Sequence, residues 1–203
     1  MNSQLLEYIN SLQKEVDRIP EERKEKLGKI SGIMQKKFRN ENPVKLTFIC
    51  THNSRRSHFC QVWTATLSKH FGLEGIETHS GGTEVTAFNP RAVESLRRAG
   101  FKVDDPGGEN PHYEVYYNDK KEPLVCYSKR FDDPANPREE VVAVMTCSDA
   151  DRNCPVVPGT DFRVTIPYED PKVADGTPQE EQVYDERCRQ IASEMYYMLS
   201  LLC

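Results

Sequence analysis

The residues whose types and spacing carry the most chemistry are Cys50-Thr51-His52-Asn53-Ser54-Arg55-Arg56-Ser57. The apolar Phe48-Ile49 leads into them, and Phe59, Val62, Trp63, Leu67 and Phe71 follow at helical spacing. The segment therefore reads as a strand end, a polar loop and a helix starting near Arg55 or Arg56. Loop amides converging with a helix N-terminus bind oxyanions and favour thiolate over thiol at Cys50. Arg56 can return its planar fork of donors to the same anion. Asn53 and Ser57 are of the types that hydrogen-bond such a loop and its thiolate. C-x5-R alone is a weak signal, and the strand before it and the helix after it are what strengthen it. A nucleophilic sulfur in an anion cradle suits chemistry on phosphate or a phosphate-like ion.

Such a loop needs elements to aim it. From Val44 a strand–helix alternation begins, which predicts an α/β fold with an open, mainly parallel four-stranded sheet flanked by helices. The strand ending at Cys50 and its helix close at Gly72, a helix stop. A second strand is expected at 76–80, then a turn at Ser80-Gly81-Gly82-Thr83. Asn89 as cap, Pro90 at the first position and Gly100 after the last turn bound the next helix, with Val93 and Leu96 inward. Residues 104–138 read as a small β insertion, with strands at 112–118 and 123–128 and a hairpin turn at Asn118-Asp119-Lys120-Lys121. Val141-Val142-Ala143-Val144-Met145 is a continuous apolar run, as in a central parallel strand. A short helix capped by Ser148, a fourth core strand at 162–166 and a last helix opened by Thr177, Pro178 and Glu180 complete the domain, 44–203. Tyr184, Cys188, Ile191, Met195 and Leu199 mark that helix's inner face. Residues 1–40 read as a helical extension of two amphipathic helices, the second opened by Pro20 at its first turn.

In an open parallel sheet the site forms at the carboxyl ends of the strands. Cys50, Cys147 and Asp170 each follow a different strand at that edge. Asp170 precedes Pro171 on a loop after a core strand, and Asp133, also followed by Pro, is its rival as a carboxylic acid near the site. Cys147 and Cys154 stand seven residues apart, nearly two helical turns, so they share a face. If helical, their Cα atoms lie about 10 Å apart, whereas a disulfide needs them within about 7 Å. A bond between them would unwind the intervening helix and make oxidation state a conformational switch. Closely spaced Cys or His pairs of a structural zinc site are absent from the sequence.

The run C-x-x-N-x-x-R-S resembles the phosphate loop of low-molecular-weight protein tyrosine phosphatases and of the thioredoxin-coupled arsenate reductases that share their fold. Met145-Thr146-Cys147-Ser148-Asp149-Ala150-Asp151 with Asn153-Cys154-Pro155 is similar to the second motif of those reductases. The resemblance implies a relay. Cys50 takes arsenate covalently, Cys147 attacks Cys50 as arsenite leaves, Cys154 attacks Cys147, and thioredoxin reduces the resulting disulfide. It also implies that residues 51–57 (Thr51, His52, Asn53, Ser54, Arg55, Arg56 and Ser57) hold the oxyanion, and that no organic cofactor is needed. Gln61 stands where potassium-binding reductases are expected to carry an acidic residue, so that ion is not expected. Two other readings remain. One is a phosphatase with a Cys50 phosphocysteine and Asp170 as acid, in which Cys147 and Cys154 protect Cys50 from overoxidation. The other is a non-catalytic oxyanion or redox sensor.

Bulk properties agree with this class. The 203-residue chain has a net charge of −5, contrary to the basic surface that nucleic-acid binding needs. No run reaches the length of a membrane span, and the first residues lack the basic-then-apolar pattern of a secretory signal. Seven cysteines, an odd count without scaffold-like spacing, point to reduced thiols and a cytoplasmic protein. The oligomeric state is not legible in these patterns.

Overall fold

The computed structural model describes residues 1–118, 123–153 and 156–203. The chain opens with helices α1 (Ser3–Val16) and α2 (Glu21–Arg39), then strand β1 (Val44–Cys50), α3 (Arg56–His70), β2 (Ile76–Gly82) and α4 (Pro90–Arg98). Short strands β3 (Lys102–Asp104), β4 (Tyr113–Tyr116) and β5 (Leu124–Cys126) follow. The last elements are β6 (Val141–Met145), α5 (Ser148–Asn153), β7 (Thr160–Thr165) and α6 (Glu180–Ser200).

The main sheet has the order β2-β1-β6-β7 with every pair parallel. This is the expected α/β architecture. β1 and β6 are central, which is why both are buried almost throughout. The chain leaves β1 toward β2 on one side and later enters β6 on the other. The order therefore reverses between β1 and β6, and the crevice at their carboxyl ends is where such sheets bind ligands. Cys50 ends β1, and Cys147 lies two residues beyond β6.

Alternation along these strands divides the core. Val44, Leu46 and Phe48 of β1 with Val142 and Val144 of β6 join the large cluster that α3 and α6 cover. Ile49, Cys50, Ala143, Met145, Cys147 and Ala150 form a smaller cluster, closed by Phe131 and Val157. Cys50 and Cys147 thus share the smaller core.

The N-terminal helices belong to the large cluster. Leu5, Ile9 and Leu12 of α1 and Leu27, Ile30 and Met34 of α2 are fully buried against it, each worth about 1.5–3 kcal/mol relative to exposure. Tyr8 stacks on Trp63 of α3 at 5.3 Å. Gly100 lets α1 approach this closely: a Cβ there would stand 2.6 Å from the Leu5 nitrogen. Its φ of +105° also favours glycine.

Several local expectations shift. Ser80, Gly81 and Gly82 continue β2 as ladder partners of Phe48, Ile49 and Cys50, so the turn begins later. Pro20 opens α2 as its cap, one residue ahead of the first turn in which it was expected. The insertion is a three-stranded antiparallel sheet, because Lys102–Asp104 pairs with β4 ahead of the two expected strands. Its expected turn at residues 119–121 lies outside the described residues. β7 starts at Thr160 rather than at 162. The last helix starts at Glu180, not Pro178. Thr177 Oγ1 still accepts from the Gln179 N–H, while Glu180 reaches back to the Gly176 N–H instead of to Thr177. Among the described residues no helix is long and apolar enough to cross a membrane.

Candidate active site

β1 delivers Cys50 with only 3% of its surface exposed, and the chain then turns through residues 51–55 into α3. Asn53 takes a left-handed conformation, φ +44°, which asparagine tolerates better than most residues. Its buried amide is used at both ends: Nδ2 donates to Ser57 Oγ at 2.9 Å, and Oδ1 accepts from the Lys129 N–H at 2.9 Å. Ser57 Oγ lies 3.1 Å from Cys50 Sγ. A Cys50 thiolate has no proton to give, so in that state the Ser57 hydroxyl donates and stabilises the anion. Among the described residues, none of the N–H groups of residues 51–55 has a protein acceptor, which leaves them for an anion.

The loop is braced from behind by elements distant in sequence. Ser54 Oγ donates to the Ala87 carbonyl at 2.6 Å, and the Ser54 carbonyl accepts from the N–H of Asn89, the cap of α4. The His52 carbonyl accepts from Ser128 Oγ at 2.8 Å and Thr86 Oγ1 at 3.2 Å. The His52 ring meets Glu84 at 3.2 Å on the rim. Gly82 lies so close that a Cβ would stand 2.7 Å from both the Asn53 nitrogen and the Thr51 oxygen. Ser128 and Lys129 were not legible as loop braces, since they lie over 70 residues away and no local pattern marks them.

Arg56 is buried. Its Nη1 donates to the Tyr168 carbonyl at 3.0 Å and its Nη2 to Asp170 Oδ2 at 2.7 Å, while Nε is buried without a partner among the described residues. Asp170 caps a short 3-10 turn, Pro171–Ala174, through Oδ1 on the Lys172 N–H. Arg55 turns its side chain elsewhere: Nε donates to the Tyr184 hydroxyl at 2.7 Å, and the guanidinium faces Asp175 at 3.4 Å and Asp170 at 3.9 Å. Its charge is matched by these carboxylates and ties the loop to α6. Asp133 caps its own turn through the Ala135 N–H and does not line the cleft.

Cys147, 1% exposed, sits where Ser148 was expected, as the cap of α5. Its Sγ accepts from the Ala150 N–H at 3.3 Å, and its carbonyl accepts from the Asp151 N–H. Thr51 Oγ1 lies 3.4 Å from the same sulfur, linking the first loop directly to Cys147. Asp151 fastens α5 to β7 by accepting from Arg163 and from Thr165 Oγ1. Cys154 lies outside the described residues. Of the remaining described cysteines, Cys60, Cys126 and Cys188 are buried packing residues and Cys203 is exposed. A cleft of about 260 Å³ opens between Thr51, His52 and Arg56, the start of α5, and the loop after β7.

His58, one residue past Ser57, is fully buried, stacked on Phe88 at 4.1 Å with Nδ1 3.3 Å from Ser80 Oγ. Burial, aided by the Lys129 charge, pushes its pKa down to about 3. The unfolded value is about 6.5, so between these limits the unfolded chain takes a proton that the folded one refuses. Stability is therefore present above about pH 6.5 and is lost as pH falls toward 3. His58→Phe is expected to flatten the pH dependence of the urea midpoint between pH 7 and pH 4.5. Equal slopes for both proteins would contradict this assignment.

Tyr168 and Glu194 escaped the sequence reading. Glu194 was legible in principle, as a single acid at helical spacing among Ile191, Met195 and Met198, and it is only 2% exposed. The deep position of Tyr168 had no such signal.

Comparison with known proteins agrees with this geometry. The low molecular weight phosphotyrosine protein phosphatase family model matches residues 45–109. An arsenate reductase of Bacillus licheniformis is 27% identical over 142 residues, spanning 70% of this chain and 84% of that protein. An arsenate reductase of Staphylococcus aureus is 29% identical over 126 residues, 61% of this chain and 76% of its own. Among solved structures, a low molecular weight protein tyrosine phosphatase from T. tengcongensis superposes with a TM-score of 0.52 at 19% identity, covering 78% of this chain and 99% of that one. A mutant of YwlE from Bacillus subtilis gives 0.53 at 13% identity, covering 78% and 98%. At such identities the structures speak for the fold.

Proposed function

We propose that this chain, which belongs to the low-molecular-weight phosphotyrosine protein phosphatase superfamily, reduces arsenate to arsenite through Cys50, Cys147 and Cys154 and is recycled by thioredoxin. The loop N–H groups and Arg56 hold the oxyanion. Cys50 Sγ attacks arsenic, and one arsenic oxygen leaves as water with a proton from Asp170. Cys147 Sγ then attacks the Cys50 sulfur; the S–As electron pair stays on arsenic, which departs as arsenite, and a Cys50–Cys147 disulfide remains. Cys154 attacks Cys147, returning the Cys50 thiolate, and the dithiol of thioredoxin reduces the Cys147–Cys154 bond. A relay that starts from reduced thiols fits the cytoplasm.

One observation carries this reading: Cys147 lies against the anion loop, 3.4 Å from Thr51 Oγ1 and in one small apolar cluster with Cys50. A phosphatase needs the Cys50 nucleophile, the cradle and an acid, but no second thiol at that place. The cleft walls point the same way. Apart from His52 they offer charged, hydroxyl and aliphatic groups, and the Tyr168 ring is turned inward, so an aryl phosphate has little to stack on. The phosphatase reading rests on Asp170, which lies beside Arg56 where an acid could protonate an ester oxygen.

The two readings differ in electrons. Reduced protein mixed with arsenate, with no other thiol present, is expected to lose two thiols for each arsenite formed. An unchanged thiol titre beside hydrolysis of p-nitrophenyl phosphate would favour the phosphatase.

A further inference from the structure

Behind the cleft lies a buried polar network that the reaction above does not use, and it begins in a helix preceding the family match. Arg23 of α2 donates through Nε and Nη2 to the two oxygens of Glu194, at 2.6 and 2.7 Å, and through Nη1 to the Pro167 carbonyl at 3.1 Å. Its guanidinium lies over the Tyr168 ring, 4.7 Å from the centroid. The Tyr168 hydroxyl donates to the same carboxylate at 2.7 Å, and Gln190 Nε2 adds a further bond at 3.1 Å. Three donors of one guanidinium are thus spent on Glu194 and on the backbone just before the acid loop.

That backbone is also the seat of Arg56. The Tyr168 N–H donates to the carbonyl of Thr146, the residue before Cys147, and the Tyr168 carbonyl accepts from Arg56 Nη1. Tyr168 is therefore clamped by Arg23 and Glu194 on one side and presents its carbonyl to Arg56 on the other. A buried ion pair is weak support for stability, since well-packed apolar residues would hold two helices together as well. A bidentate fork with a third bond to a carbonyl does what apolar packing cannot: it fixes orientation.

We infer that Arg23 is a positioning residue for the oxyanion site: through Glu194 and Tyr168 it sets where the Arg56 guanidinium lies. This rests on the reading of the Cys50 loop as an oxyanion site. It also gives the N-terminal helices a role beyond covering the core.

The test measures binding rather than turnover. Alkylation of Cys50 by iodoacetamide, followed by peptide mass, is slowed by inorganic phosphate, and the phosphate dependence gives a dissociation constant. Arg23→Met is expected to weaken phosphate binding about tenfold. Arg23→Lys, which keeps the charge but not the fork, should weaken it less, and it also keeps the test alive if Arg23→Met does not fold. Ser31→Ala is the control. Ser31 Oγ donates to the Met198 carbonyl at 2.6 Å across the same α2–α6 seam, and its other bond is to the Leu27 carbonyl of its own helix. Its phosphate affinity should equal that of wild type. Unchanged affinity in both Arg23 variants, or an equal loss in Ser31→Ala, overturns the positioning role. Wild type that phosphate fails to protect overturns the oxyanion reading itself, and the proposal with it.

Discussion

Arg56→Ala is expected to lower kcat/KM for arsenate by about 10³-fold, the size of effect seen when a preorganised donor to a developing oxyanion is removed. Arg56 is buried, and two of its nitrogens are already held by Tyr168 and Asp170. The guanidinium is therefore oriented before substrate arrives and needs little reorganisation to receive it. Removing it also leaves Asp170 with Arg55 at 3.9 Å as its nearest cation, which weakens control over the acid. Arg56→Lys should lose nearly as much, because an ammonium supplies charge without the planar fork. Initial rates over a range of arsenate concentrations check this. A loss below about tenfold would place oxyanion binding mainly in the loop amides.

Much of the scaffold was legible because its signals are local. The apolar run into Cys50, the helical spacing after Ser57, and Asn89-Pro90 with Gly100 each encode an element within a few residues, and each element stands there. The β-branched run 141–145 announced a central strand for the same reason. What escaped depends on partners far away. Nothing near Arg55 tells that its side chain meets Tyr184, 129 residues on. Nothing near Arg23 tells that it meets Glu194, 171 residues on. The spacing of α1 and α2 predicted buried faces but not which surface they cover, since an amphipathic stripe carries no address. Ser148 looked like a cap by residue type, yet Cys147 occupies that place and its sulfur accepts the amide. β3, three residues long, is too short for periodicity to reveal.

Cys147→Ser is expected to stop catalytic arsenate reduction. A serine hydroxyl can take the partners that the sulfur now has, the Ala150 N–H and Thr51 Oγ1, so the loop and α5 should keep their places. What disappears is the thiol that would break the S–As bond. Arsenate should then remain as an adduct on Cys50, visible by mass under non-denaturing conditions. Arsenite formation by this variant at the wild-type rate would remove Cys147 from the reaction and leave it a packing residue of the smaller core.

The most direct measurement of the relay follows NADPH consumption with arsenate, thioredoxin and thioredoxin reductase, using wild type and Cys154→Ser side by side. Wild type is expected to show steady arsenate-dependent consumption and the variant none beyond the first turnover, because its Cys50–Cys147 disulfide has no third thiol to release it. No arsenate-dependent consumption by wild type, or sustained consumption by the variant, would contradict the relay.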